Sequence, residues 1–178
     1  MNLPNKLTTG RMCAIPFFIV AYLSGYNYIA TVIFILAAAT DALDGHIARS
    51  RGLVTNFGKI MDPLADKILV ISAFVCMVQT GVVPAVVVII VLTREFAITG
   101  LRTVAAADGT VIAAGMTGKI KTVTQMIAVP LLLIENWPFE YIGIPADQIF
   151  LWVSVVMTII SGVEYIVKNK DVFLSKGI

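Results

Sequence analysis

Residues 41–66 read DALDGHIARSRGLVTNFGKIMDPLAD and place four aspartates, Asp41, Asp44, Asp62 and Asp66, between two apolar runs long enough to span a bilayer. A carboxylate at membrane depth is costly unless something offsets its charge, so acids in such a setting mark a functional site. The rest of the chain supplies that setting. Of its 178 residues 58% are hydrophobic and only 13% charged, and the mean hydropathy is +0.92. This is the composition of an integral membrane protein rather than of a soluble core.

Working outward, six stretches are apolar and long enough to cross a hydrocarbon slab that needs about 20 helical residues. They lie near 8–25, 28–48, 59–80, 83–107, 119–136 and 146–167. The pattern predicts an all-α, polytopic fold of six transmembrane helices, with residues 1–178 forming a single membrane domain. Pro4 and the polar residues through Thr9 predict a short interfacial helix ahead of the first span. That N-terminal stretch has too few charges for a transit peptide and leads at once into further spans, so it is expected to be retained. Turns are marked by Ser24-Gly25-Tyr26-Asn27 and by Gly81 with Pro84.

The charges are sorted by side. The two short turns carry none, and the connection 135–147 holds three acids, Trp137, Pro138 and Tyr141 but no Lys or Arg. All 13 basic residues fall at the opposite ends of the spans: Lys6, Arg11, Arg49, Arg51, Lys59, Lys67, Arg94, Arg102, Lys119, Lys121, Lys168, Lys170 and Lys176. The positive-inside rule then puts both termini and the second and fourth connections in the cytoplasm, and with them the aspartates.

Asp41 and Asp44 are three apart, and Asp62 and Asp66 four apart. On helices each pair projects from one face, one turn above the other. Two such helices side by side aim four carboxylates into one cavity, where mutual repulsion would raise their pKa values unless cations cancel the charge. Hard oxygen ligands suit two Mg²⁺ or Mn²⁺ ions rather than zinc, and paired ions of this kind serve phosphoryl chemistry.

Gly45 and Gly58 leave helix walls bare for a nucleotide or, as the bland alternative, for close helix packing. Arg49 offers a planar fork for a phosphate or carboxylate; Arg49, Arg51 and Lys59 also serve as plain cytoplasmic anchors. His46 is expected to be interfacial, with no ligand role. Pro63 disfavours helical geometry at Asp62 and is expected to kink the third helix. Cys13 and Cys76 read as small buried hydrophobes.

These residues carry a family resemblance. Asp41-x2-Asp44-Gly45-x2-Ala48-Arg49-x8-Gly58-x3-Asp62-x3-Asp66 resembles, at every fixed position, the signature of the CDP-alcohol phosphotransferases. Those membrane enzymes cut the pyrophosphate of a CDP-linked donor and join one phosphoryl half to an alcohol. The resemblance implies that Asp41, Asp44 and Asp62 hold metal beside the CDP pyrophosphate, and that Asp66 is both metal ligand and general base. It further implies that Gly45, Ala48 and Gly58 admit the cytidine, while Arg49 touches the nucleotide or fixes the acids.

NLPNKLTTGR at the start, TREFAITGLR at 93–102 and GKIKTVTQ at 118–125 resemble the phosphatidylglycerophosphate synthases, the branch that uses CDP-diacylglycerol and sn-glycerol 3-phosphate. A phosphorylated acceptor needs cationic partners, and Arg94, Arg102, Lys119 and Lys121 lie on the cytoplasmic side. Arg94 and Arg102 are eight apart and can border one cavity, whereas Lys119 and Lys121 diverge if helical. Arg102 and Lys119 are the expected phosphate ligands, with Arg94 equally open to a structural pair with Glu95, Asp66 or another acid.

The resemblance implies a multi-pass protein of a bacterial cytoplasmic membrane, in contact with membrane lipids and with no nucleic-acid partner. It also implies a homodimer, for which Gly115, Gly118 and Gly162 are candidate helix contacts. Inositol phosphate, serine or phosphatidylglycerol remain alternative acceptors. A divalent-cation transporter is the alternative outside the enzymes, although the acids cluster at one face instead of lining a path across the bilayer.

Overall fold

The computed structural model describes residues 3–51, 56–107, 109, 112 and 115–170, with side chains described from residue 7 onward apart from 41–51, 56–63, 66 and 107. Six α-helices follow one another: α1 (Leu3–Leu23), α2 (Asn27–Arg51), α3 (Asn56–Gln79), α4 (Ala85–Ala107), α5 (Met116–Leu133) and α6 (Ala146–Lys168). A 3-10 turn, Phe139–Ile142, precedes α6. The described residues contain no strand, in agreement with the all-α expectation. Proline lies inside α1 at Pro16 and inside α5 at Pro130 without ending either helix, as apolar helices packed against neighbours tolerate.

Two details differ from the sequence reading. The separate interfacial helix is absent, because helix runs unbroken from Leu3 to Leu23; Pro4 sits at its start, where a missing N–H costs nothing. Cys13 is exposed, while Cys76 is buried as expected. Cys13 shares a face of α1 with the exposed Phe17 and Val20, four and seven residues on, so an apolar outward face explains its place.

The helix ends explain the turns. At the end of α1 the Gly25 N–H donates to Tyr22 O (3.0 Å) and the Tyr26 N–H to Ala21 O (2.9 Å). The same pair of bonds recurs after α3, from Gly81 to Val78 O (3.1 Å) and from Val82 to Met77 O (2.9 Å). Both are Schellman caps, which need a left-handed residue, and Gly25 (φ 83°) and Gly81 (φ 78°) supply it. The third cap, after α5, has no glycine. There Glu135 (φ 54°) and Asn136 (φ 64°) are left-handed, with Asn136 N–H donating to Leu131 O (2.8 Å). Side chains hold this turn in place: Asn27 Nδ2 donates to Glu135 Oε1 (2.9 Å), and Asn136 Nδ2 donates to Ile144 O (2.8 Å). Helix α5 thus stops at Leu133 rather than near 136.

The chain forms two compact units, 1–83 with 129–147 and 84–128 with 148–178. In the first, α1 packs on α2 and α3 around Phe18, Phe34, Leu69, Phe74 and Met77, all with almost no exposed surface. The Phe18 ring stacks on Tyr22 with centroids 6.3 Å apart, and Tyr22 Oη hydrogen-bonds Thr80 Oγ1 at 2.9 Å. Ala30, Ala37, Ala65 and Ala73 are buried beside these rings, and small residues let apolar helices approach closely.

In the second unit the buried side of α6 carries Leu151, Ser154, Val155, Thr158, Ser161 and Tyr165. Its hydroxyls satisfy themselves locally: Ser154 donates to Leu151 O (2.7 Å), Thr158 to Ser154 O (2.7 Å) and Ser161 to Thr158 O (3.1 Å). The outward faces of both units are rich in exposed Val, Ile, Leu and Phe, a surface suited to lipid rather than water. By length and composition, one helix among the described residues, Ala146–Lys168, passes as a membrane span; Leu7–Leu23, Asn27–Thr40 and Lys67–Gln79 are shorter apolar stretches.

An added Cβ at Gly81 meets nothing within 4 Å, so its only cost is the left-handed backbone. Gly81→Ala is expected to destabilise the protein by about 1–2 kcal/mol and to lower its thermal midpoint in detergent by roughly 2–8 °C. Gly10→Ala, inside α1 and equally uncrowded, is expected to leave the midpoint unchanged or raise it.

Candidate active site

The four aspartates divide between two consecutive helices of the first unit, Asp41 and Asp44 on α2 and Asp62 and Asp66 on α3. Register relates their positions to the packing. On α2 the buried residues with described side chains are Ala30, Thr31, Phe34 and Ala37, and two helical turns beyond 34 and 37 lie positions 41 and 44, with 48 two turns beyond 41. On α3 positions 62 and 66 stand three residues before the buried Ala65 and Leu69. Positions 41, 44, 62 and 66 thus stand in helical register with buried positions of two helices that share α1 as a neighbour. The side chains of Asp41, Asp44, Gly45, Ala48, Arg49, Gly58, Asp62 and Asp66 lie outside the described residues. Among the described residues no group of three or more His, Cys, Asp or Glu gathers.

The second unit gathers cations. Glu95, 9% exposed, accepts on Oε1 from Arg94 Nη1 at 2.9 Å and from Lys121 Nζ at 2.5 Å. Arg94 Nε donates to Ser161 Oγ at 3.3 Å. Two cations thus share one carboxylate, and the trio keeps a formal charge of one positive unit. Without Glu95, two cations would be left uncompensated in an apolar setting, which costs several kcal/mol.

Arg102 is placed differently. Its Nε donates to Tyr165 Oη at 2.9 Å and its guanidinium stands 5.4 Å from the Tyr165 ring centroid, a cation–π arrangement. Lys119 is exposed, and Lys121, two residues on, is buried, the divergence that helical geometry requires. Glu164 on α6 pairs with Lys168 one turn later.

Of the sequence-predicted acceptor residues, Arg94 and Lys121 are brought together at Glu95. The structural pair foreseen for Arg94 is present with Glu95 and extends to Lys121. Sequence reasoning missed Ser161, Tyr165 and Gln125. Gln125 is 3% exposed and its Nε2 has no hydrogen-bond partner. Its position one turn after Lys121 was the available signal: the stretch Lys121, Thr124, Gln125, Ala128 is a buried stripe interrupted by polar groups. A Cβ added at Gly118 would stand 3.2 Å from Arg94 Nη2, and one added at Gly162 3.3 Å from Arg94 Cγ, within this unit.

The chain is similar to known proteins over nearly its whole length. A family model described as CDP-alcohol phosphatidyltransferase matches residues 1–160. A Bacillus subtilis CDP-diacylglycerol--glycerol-3-phosphate 3-phosphatidyltransferase is 46% identical, with 94% of this chain and 95% of that protein aligned. Proteins of the same name from Rickettsia bellii, 35% identical over 97% of each chain, and from Haemophilus influenzae, 37% identical over 93% of this chain and 91% of that one, are also similar. With the aspartate spacing intact and nearly the whole sequence aligned, the chain belongs to the CDP-alcohol phosphatidyltransferase family.

Proposed function

We propose that this chain transfers the phosphatidyl group of CDP-diacylglycerol to sn-glycerol 3-phosphate, forming phosphatidylglycerophosphate and CMP. The observation that carries the reading is near full-length similarity to proteins named for that reaction in a chain that keeps all four aspartates at helical spacing.

The donor set fits divalent metal: four carboxylates on two adjacent helices give oxygen ligands alone, the chemistry of Mg²⁺ or Mn²⁺. Asp41, Asp44, Asp62 and Asp66 would hold two such ions, which when bound neutralise charge on the pyrophosphate and orient it. Gly45, Ala48 and Gly58 leave room for the cytidine beside the helices, and Arg49 donates to the nucleotide or to the acids.

Asp66 accepts the proton of the acceptor hydroxyl. That oxygen bonds to the phosphorus bearing the diacylglycerol as the bridging P–O bond breaks, and the electron pair leaves with CMP in a direct displacement. The acceptor's own phosphate calls for cationic partners. Arg94 and Lys121 are preferred, because they converge and their shared carboxylate leaves net positive charge; Arg102 and Lys119 serve at the exposed rim. Arg94 also retains Nη2 with no hydrogen-bond partner among the described residues.

The helices, from 18 to 25 residues, rise about 27–38 Å at 1.5 Å per residue, which suits six crossings of a hydrocarbon core about 30 Å thick. With no basic residue in the turns 24–27 and 80–84 or in the connection 135–147, the site and both termini face the cytoplasm, and the diacylglycerol tails stay in the lipid. A homodimer formed through an outward apolar face completes the reading.

Asp66→Asn is expected to abolish acceptor-dependent CMP release while CDP-diacylglycerol still binds; normal turnover in that variant would end the general-base assignment. Chelation is expected to stop turnover, with Mg²⁺ or Mn²⁺ restoring it. In an acceptor panel, CMP release is expected with glycerol 3-phosphate and not with serine, inositol phosphate or phosphatidylglycerol. Arg94→Ala and Lys121→Ala should each raise KM for glycerol 3-phosphate about 30-fold or more, the equivalent of about 2 kcal/mol for a lost buried charge pair, and Arg102→Ala and Lys119→Ala by less.

A further inference from the structure

Arg94 crosses two glycines. Its Nε is tied to Ser161 Oγ at 3.3 Å and its Nη1 to Glu95 Oε1 at 2.9 Å. A Cβ added at Gly162 on α6 would stand 3.3 Å from Arg94 Cγ, and one added at Gly118 on α5 would stand 3.2 Å from Arg94 Nη2. Among the described glycines these are the two whose added Cβ meets anything closer than 3.7 Å, and in both the neighbour is Arg94. One glycine lies under the stem of the side chain and the other under its head.

The two contacts differ in how easily they yield. Nη2 is the far end of a long side chain and shifts at little cost. Cγ lies near the backbone, and the guanidinium beyond it is already held by Ser161 and Glu95, so displacement of the stem is carried to the head. Neither glycine is needed for a turn, since both lie inside helices, where glycine costs about 0.5–1 kcal/mol relative to alanine. That cost is offset by the room each leaves.

We infer that Gly162, seconded by Gly118, forms a slot that positions the Arg94 guanidinium for the phosphate of the acceptor, making Gly162 a specificity-determining positioning residue. The inference rests on the reading of Arg94 as an acceptor-phosphate ligand. It separates two roles in the trio: Glu95 sets the charge that remains, and the glycine slot sets where the fork stands. A positional role of this kind acts through Arg94 alone, because Gly162 has no side chain with which to touch substrate.

The test is a double-mutant cycle in the intact membrane enzyme, reading kcat and the KM of each substrate from CMP release. Gly162→Ala is expected to raise KM for glycerol 3-phosphate about 10-fold while kcat and KM for CDP-diacylglycerol stay within twofold. Gly118→Ala, at the softer contact, is expected to raise it about threefold, and it keeps the inference testable if Gly162→Ala does not accumulate. In an Arg94→Lys background, where the planar head is gone and the stem is freer, adding Gly162→Ala is expected to change KM less than twofold. Equal effects of Gly162→Ala in both backgrounds, or a fall in kcat with both KM values unchanged, would overturn the slot. If Arg94→Lys alone leaves KM for glycerol 3-phosphate unchanged, the assignment of the acceptor phosphate to Arg94 fails instead.

Discussion

A charge set among apolar helices is stable only where an opposite charge meets it, and that constraint shapes both units of this chain. In the first, Asp41, Asp44, Asp62 and Asp66 stand on the consecutive helices α2 and α3, at positions in helical register with buried residues. In the second, Arg94 and Lys121 share one oxygen of Glu95, and the trio carries a formal charge of one positive unit.

The remainder of the fold keeps other polar groups from competing with these. Buried hydroxyls on α6 donate to carbonyls of their own helix, which satisfies them without drawing on neighbours. Ser161 does this while its oxygen also accepts from Arg94, so one small side chain links the cation to the α6 backbone. The ends of α1 and α3 close on themselves through Schellman caps and need no charged side chain.

Much of this was legible in the sequence because its causes are local. Gly25 and Gly81 mark the left-handed caps at which they stand, and the three- and four-residue spacing of the aspartates survives in helices that run through those positions. The turn at Glu135 and Asn136 was not legible: no glycine marks it, and what holds it is a bond from Asn27, far away in sequence. The merging of the interfacial segment with α1 was hidden for the opposite reason, since polarity changes along the chain with no helix-breaking residue to end the helix. Cys13 and Cys76 have similar apolar neighbours in sequence, and only packing separates the exposed one from the buried one.

The acceptor cations show where sequence reasoning reaches its limit. Angular arithmetic separates Lys119 from Lys121, and the structure agrees, but arithmetic does not say which of the two faces inward. Partners decide that. Glu95 offers an oxygen on the inner side and Lys121 takes it, while Arg102 finds the ring and hydroxyl of Tyr165. Replacing a buried ion cluster with apolar groups of similar volume is often neutral or stabilising. Stability alone therefore does not account for Arg94, Glu95 and Lys121 standing together, nor for two helical glycines whose open sides both meet Arg94. A ligand that repays the cost on binding would account for them, and under the proposed function that ligand is the anionic acceptor.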